Sequence, residues 1–313
     1  MVKYSIRRLT GTLIVFLALS IFTFVLSRAV PGGPWSQGAE MPLSEEQVAI
    51  FKAKYGLDKP LLVQYFIWLR NALTLDFGRP FMAPELTVTQ LILKQWPYSA
   101  VVGGLAASLA CVIGTILGSI CAARQNTWLD NVVSTYAVIS GTIPSFVLGF
   151  VLVYIFSAKL GWFPAGGWSG LSFKNLVLPV VAFGLPAAGG VARWTRQCML
   201  ESMSADYVRT AYAKGVRQAG VMSRHVLRNA LIPMVTSFLP LFPDMMTGSI
   251  FIEKTFGIPG LGQYFVSSSF SRDYTLVLGI TMFWAILIAL TYLVTDIIYG
   301  FIDPRVRLTR RSF

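Results

Sequence analysis

The sequence predicts an all-α integral membrane protein with six membrane-spanning helices, and three observations carry that prediction. Only 13% of the 313 residues are charged while 55% are hydrophobic, about half the charged share of an ordinary soluble domain. Six long runs are almost without charge. The 26 Lys and Arg residues are also divided unevenly among the segments that separate those runs.

The first run, 9–27, follows Lys3, Arg7 and Arg8. It exceeds the roughly 7–15 apolar residues of a secretory signal, and no A-x-A cleavage pattern follows it, so it reads as a retained first helix. "PGGPW" at 31–35 then stops that helix, because proline cannot continue the hydrogen-bond ladder. Segment 31–94 is balanced at six basic and six acidic residues. Within it "LLVQYFIWL" (61–69) is apolar but too short to cross a bilayer, and reads as a helix lying on the outer surface.

The other runs are 95–123, 131–158 and 175–192, then 229–252 and 274–302, which carry Asp244 and Asp296. At ~1.5 Å per residue the shortest extends about 27 Å, enough to cross a ~30 Å hydrocarbon core with flanking help. Gly103, Gly104, Gly114, Gly118, Gly184, Gly189 and Gly190 predict close helix–helix approach. Pro144 and Pro186 predict kinks in their spans. Cys111 and Cys121 lie about 15 Å apart along one helix and cannot bridge. With Cys198 they read as packing residues.

Placing the N-terminus in the cytoplasm puts 15 basic and 4 acidic residues on that side, against 11 and 8 on the other. The positive-inside rule therefore favours both termini in the cytoplasm. The net charge of +12 is then a matter of topology, and nucleic acid is not implied as a partner.

The most basic inner segment, Arg193 to Arg228, holds seven Arg or Lys against two acids. Read as a helix over 204–217, it places Ser204, Tyr207, Val208, Ala211, Tyr212 and Gly215 within an arc of about 140°. Asp206, Arg209, Thr210, Lys214 and Arg217 fall on the opposite face. Gly215 and Gly220 turn the chain, and a second helix over 221–231 leads to the fifth run. By periodicity alone this is either a helix lying on anionic headgroups or a helix that docks a cytoplasmic partner.

The stretch "DYVRTAYAKGVRQAGVMSRHVLRNALIP" (206–233) resembles the cytoplasmic "EAA" coupling loop of ATP-binding-cassette importer permeases in its peptide-group form. "YGLDKPLLVQYFIWLRN", "IPSFVLGF", "LGWFPAGGW", "FGIPGLGQYF", "RDYTLVLG" and "DIIYGFIDPRVR" follow the same family in order. The chain is thus similar to the B-type permease subunit of oligopeptide or dipeptide importers, and "PGGPW" and "AGGW" lean toward oligopeptide. It departs from the generic loop at Arg209, which stands where an acid is usual, and at Arg228, which stands where a proline is usual.

The resemblance implies a type I importer permease fold. Residues 1–30 would form the N-terminal end and first span, and 31–94 an extracytoplasmic segment. The transmembrane domain would occupy 95–303, with its coupling loop at 193–232, and 304–313 a cytoplasmic tail. It further implies a bacterial inner-membrane subunit with a second homologous permease, two cytoplasmic ATPases, an extracytoplasmic peptide-binding protein and a peptide substrate as partners, beside the lipid bilayer. ATP and Mg would bind those ATPases, with no cofactor on this chain. Tyr207, Val208, Ala211 and Tyr212 would enter the ATPase cleft, Asp206, Arg209, Lys214 and Arg217 would contact its rim, and Gly215 would make the turn. Asp244, in "PLFPDMMTG" where Pro240 and Pro243 loosen the helix, is a candidate to meet the peptide amine.

Catalytic readings fare poorly. Gly215 and Gly220 have phosphate-loop spacing, but Val221 and Met222 replace the required Lys and Ser/Thr. "GWSG" at 167–170 fits an intramembrane serine protease, yet His225, the one histidine, lies in the inner loop, a bilayer away from Ser169. A secondary transporter would carry paired repeats or a chain of intramembrane ionisable groups, whereas only Asp244 and Asp296 lie in spans. Asp296 reads as a helix-packing residue.

Overall fold

The computed structural model describes residues 2–29, 45–81, 85–168, 170 and 172–302. All regular structure among them is helical. In chain order the helices are α1 (Val2–Ala29), α2 (Glu45–Lys54), α3 (Leu61–Leu73), α4 (Val88–Ala123), α5 (Trp128–Thr142) and α6 (Ser145–Lys159). There follow α7 (Phe173–Met203), α8 (Asp206–Ala213), α9 (Gln218–Met246), α10 (Ile250–Phe256), α11 (Leu261–Phe270) and α12 (Tyr274–Ile302).

Among the described residues four helices are long and apolar enough to cross a membrane: α4, α7, α9 and α12. A fifth crossing exists if α5 and α6 together form one span. The first run lies on α1, whose described apolar part is Leu13–Ala29. The third run is not one straight helix, because α5 and α6 meet at 102°. The cause is local. Pro144 has no N–H to give and holds Ile143 in extended backbone, at φ −79° and ψ 121°. At 15 residues each, α5 and α6 extend about 22 Å, so neither crosses alone. Pro186, by contrast, leaves α7 continuous.

The chain divides into two compact units, Met1–Pro97 with Gly260–Ala289, and Tyr98–Pro259 with Leu290–Phe313. In the first unit Val88, Leu91 and Ile92 of α4 pack with Phe77, Leu261, Leu276, Ile280 and Met282. Asp273 accepts a 2.7 Å hydrogen bond from the Phe81 N–H, tying the start of α12 to the segment before α4. α3 touches α1 through a 2.9 Å hydrogen bond between Ser20 and Tyr65 and an edge-on contact of Phe24 with Tyr65.

The second unit is organised around α7. The predicted close approaches appear at five glycines. A Cβ at Gly114 or Gly118 of α4 would strike α7 at Ala188, Val191 or Ala192. One at Gly189 would strike α5 at Ser140, one at Gly184 would strike α4 at Ala106, and one at Gly103 would strike the backbone of Met245. Gly104 makes only ordinary contacts and Gly190 faces open space. Without side chains in the way, helix backbones come close enough for dispersion to hold them where oil offers no hydrophobic drive.

Candidate functional site

The basic inner segment is built from the ends of two long helices and one short helix between them. α7 runs past the first charges, Arg193 and Arg196, to Met203. Ser204 then turns the chain, its hydroxyl donating to the Glu201 carbonyl. α8 starts with Asp206 in its first turn, where a carboxylate suits the positive end of the helix dipole. It ends sooner than periodicity predicted, at Ala213 rather than 217. Gly215, at φ +76°, takes the left-handed conformation. Its N–H bonds the Tyr212 carbonyl at 2.9 Å, and the Val216 N–H bonds the Ala211 carbonyl at 3.2 Å. These two bonds make a Schellman cap, which a side chain at Gly215 would strain. After an extended Arg217, α9 begins at Gln218, so the expected second helix is the start of the fifth span's own helix.

The predicted apolar face of α8 divides in two. Val208 and Ala211, 3% and 4% exposed, turn into the chain's own core. There they pack with Cys198 and Met199 of α7 and with Val221, Met222 and Val226 of α9. They are therefore not on the surface that the resemblance would have them offer to a partner. Tyr207 and Tyr212 flank that buried strip and stay 40% and 45% exposed. Asp206, Arg209, Thr210, Lys214, Gly215 and Arg217 are exposed too. Thr210 donates back to the Asp206 carbonyl. Asp206 and Arg209 approach to 3.9 Å with nearly full exposure, an ion pair that contributes little. The outer face of α8 is thus polar, bordered by two tyrosine rings, on a helix anchored from below.

Two polar pairings in the second unit were missed by the sequence reading. Arg196 of α7 grips Asp130 of α5 through Nε–Oδ1 and Nη2–Oδ2, both 2.7 Å. Asp130 also accepts the Asn126 N–H at 3.0 Å, holding the α4–α5 turn where Asn126 takes a positive φ. Residues 66 apart in sequence carry no periodic mark of their contact. In the other, Ser99 donates to Glu253 at 2.6 Å, and Glu253 is buried although its charge reads as a loop residue. The capping pattern could have placed it, since Ser249 caps α10 and puts Glu253 in its first turn.

Asp244 lies exposed near the end of α9 between buried Pro243 and Met245, with no carboxylate ion pair among the described residues. The described residues do not include Ser169 or the side chain of Asp296.

The family described as binding-protein-dependent transport system inner membrane component matches residues 114–308, and its N-terminal counterpart matches 1–97. The oligopeptide transport system permease protein of Haemophilus influenzae is 38% identical over 98% of this chain and all of its own length. The dipeptide transport system permease protein of Bacillus subtilis is 36% identical over the whole of both chains. Among solved structures, a chain of the MetNI methionine ABC transporter in an inward-facing conformation has a TM-score of 0.55. It shares 19% identity and covers 68% of this chain and 96% of its own, a likeness of fold. With both matched segments and relatives of full length in agreement, the chain belongs to the binding-protein-dependent transport system inner membrane component family.

Proposed function

We propose that the chain is the permease subunit of an ATP-driven peptide importer and that α8 is the element its ATPases grip. The observation that carries this reading is the end-to-end match to relatives that are themselves named oligopeptide and dipeptide permeases. The geometry of α8 supports the coupling half. A helix that is to transmit force needs one face fixed to what it moves and another offered to what pushes it. Val208 and Ala211 supply the first. Tyr207, Arg209, Tyr212 and Lys214 supply the second, all four exposed, and tyrosine and arginine are among the residue types that dominate binding energy at protein interfaces.

In this reading the chain forms half of a translocation pathway with a second, homologous permease in the bacterial inner membrane, both termini cytoplasmic. An extracytoplasmic binding protein delivers the peptide. Two partner ATPases hold ATP and Mg, and their closure carries α8 with it. This chain supplies no catalytic group. Asp244, an exposed carboxylate near the end of α9, would meet the peptide's α-amino cation.

Reconstitution of the five-part complex in proteoliposomes tests the reading. Uptake of labelled peptide is expected to require internal or external ATP at the ATPase side and the binding protein at the other, and a cysteine at Tyr207 or Tyr212 is expected to cross-link to an ATPase. Uptake driven by an ion gradient without ATP would refute it.

A further inference from the structure

Arg28 is the basic residue in the last turn of α1. Its guanidinium lies over the rings of Phe24 and Tyr274, 5.2 and 5.1 Å from their centroids. No carboxylate pairs with it among the described residues, and its Nε is buried without a hydrogen-bond partner. A buried cationic donor left unpaired is costly and uncommon. Ring faces favour a cation but accept no N–H in the plane of the guanidinium.

Two more unsatisfied polar atoms lie in the same place. Gln64 donates its Nε2 to the carbonyls of Leu57 and Lys59, at 3.2 and 2.7 Å, which fixes the amide so that Oε1 faces away with no donor. Trp68 Nε1 is likewise buried and unpartnered. Arg28, Gln64 and Trp68 line one cavity of about 330 Å³. That cavity presents two unanswered donors, a guanidinium and an indole N–H, beside one unanswered acceptor. Asp76 also lines it, its carboxylate taking the Gly78 N–H at 3.0 Å.

Arg28 is also part of the wall of a second cavity of about 460 Å³, an almost wholly apolar trough between α1 and α3. Ile21, Val25, Leu61, Leu62 and Phe66 line it, and all five are large apolar side chains between 49% and 73% exposed. The trough thus opens sideways on the apolar surface of α1, and its polar end is the point where that helix's hydrophobic stretch stops.

We infer that these two cavities hold one anionic phospholipid with a hydroxylated headgroup. The phosphate accepts from Arg28 and from Trp68, a headgroup hydroxyl donates to Gln64 Oε1, and an acyl chain lies in the trough between Val25 and Leu62. Each unsatisfied atom gains a partner of the correct sense, and the apolar walls gain an apolar occupant. On the topology proposed above the lipid sits in the outer leaflet. The inference is read out by lipid retention and stands or falls independently of transport.

The test uses the full complex extracted from nanodiscs of phosphatidylcholine containing phosphatidylglycerol, with native mass spectrometry counting retained lipid. Wild type is expected to keep one phosphatidylglycerol through delipidation. Arg28→Gln is expected to reduce retention about tenfold, the loss of one charge-assisted contact. Leu62→Asp, at a position 73% exposed to the trough, is expected to lose the lipid as well while the complex still assembles. Arg70→Gln, an exposed cation on the same helix outside both cavities, is expected to keep it. Equal loss from Arg28→Gln and Arg70→Gln would reduce the effect to general charge attraction and overturn the site. Retention in Leu62→Asp, displacement by millimolar inorganic phosphate, or displacement by substrate peptide would overturn it too.

Discussion

The Asp130–Arg196 bridge predicts an asymmetry between its two halves. Both hydrogen bonds are 2.7 Å, but the Asp130 side chain is only 5% exposed and that of Arg196 is 28% exposed. Replacing Arg196 with Met leaves a largely buried carboxylate without its counter-charge, held only by the Asn126 N–H and the Ser134 hydroxyl, a situation that costs about 3–5 kcal/mol. Replacing Asp130 with Asn leaves a guanidinium that can turn partly to solvent and retains an acceptor for the Asn126 N–H, so the cost falls to about 1.5–3 kcal/mol. At about 2–4 °C per kcal/mol for a unit of this size, Arg196→Met lowers the unfolding midpoint by roughly 6–20 °C and Asp130→Asn by roughly 3–12 °C. The protein carries its own reporters, because Cys121 and Cys198 are 1% and 5% exposed. A fluorogenic maleimide reads their release on heating. A double-mutant cycle with Asp130→Asn and Arg196→Gln is expected to return a coupling of about 2 kcal/mol. If Arg196→Met proved no worse than Asp130→Asn, or if the coupling fell below about 0.5 kcal/mol, the bridge would be a surface contact and the reasoning from burial would fail.

Further outcomes follow from the same geometry. Tyr207→Ala and Tyr212→Ala, at exposed positions, are expected to weaken ATPase capture by about tenfold each without moving the unfolding midpoint, as measured by co-purification and thermal melting. Val208→Asp is expected to do the opposite, collapsing the packing of α8 on α7 and α9 so that the chain fails to accumulate. Gly118→Val drives a side chain into the α7 backbone at Ala192 and is expected to abolish stable expression, while Gly190→Ala, which meets nothing, is expected to be silent. Asp244→Asn is expected to raise the peptide KM about tenfold at unchanged expression, the loss of one charged contact; unchanged uptake would remove Asp244 from the pathway.

Four of the six predicted spans, those on α4, α7, α9 and α12, were legible because a bilayer penalises charge so heavily that its absence marks them. Boundaries drawn at charges were less accurate. The charge of Arg193 ends the apolar run, yet α7 continues to Met203, since an arginine on the aqueous turns of a long helix breaks nothing. The 102° turn at Pro144 shows the reverse failure, because an uninterrupted apolar run hides a change of direction. Composition records the medium around a segment and says little about the path the backbone takes through it.

For α8 the periodicity found the right stripe but not what the stripe touches. Val208 and Ala211 lie at its centre and Tyr207 and Tyr212 at its margins, and a helical wheel treats all four alike. Folding separates them by geometry: the small and branched side chains fit beneath the helix, against Met199 and Met222, and the two rings, too large for that gap, stand on either side. This division has a mechanical consequence. Because Val208 and Ala211 touch both the end of α7 and the start of α9, a displacement of α8 acts on two long apolar helices together. Arg196, a little under two turns before the end of α7, ties that helix to α5 through the carboxylate of Asp130. The surface that a partner would hold and the contacts that would carry its motion are therefore different residues on one short helix.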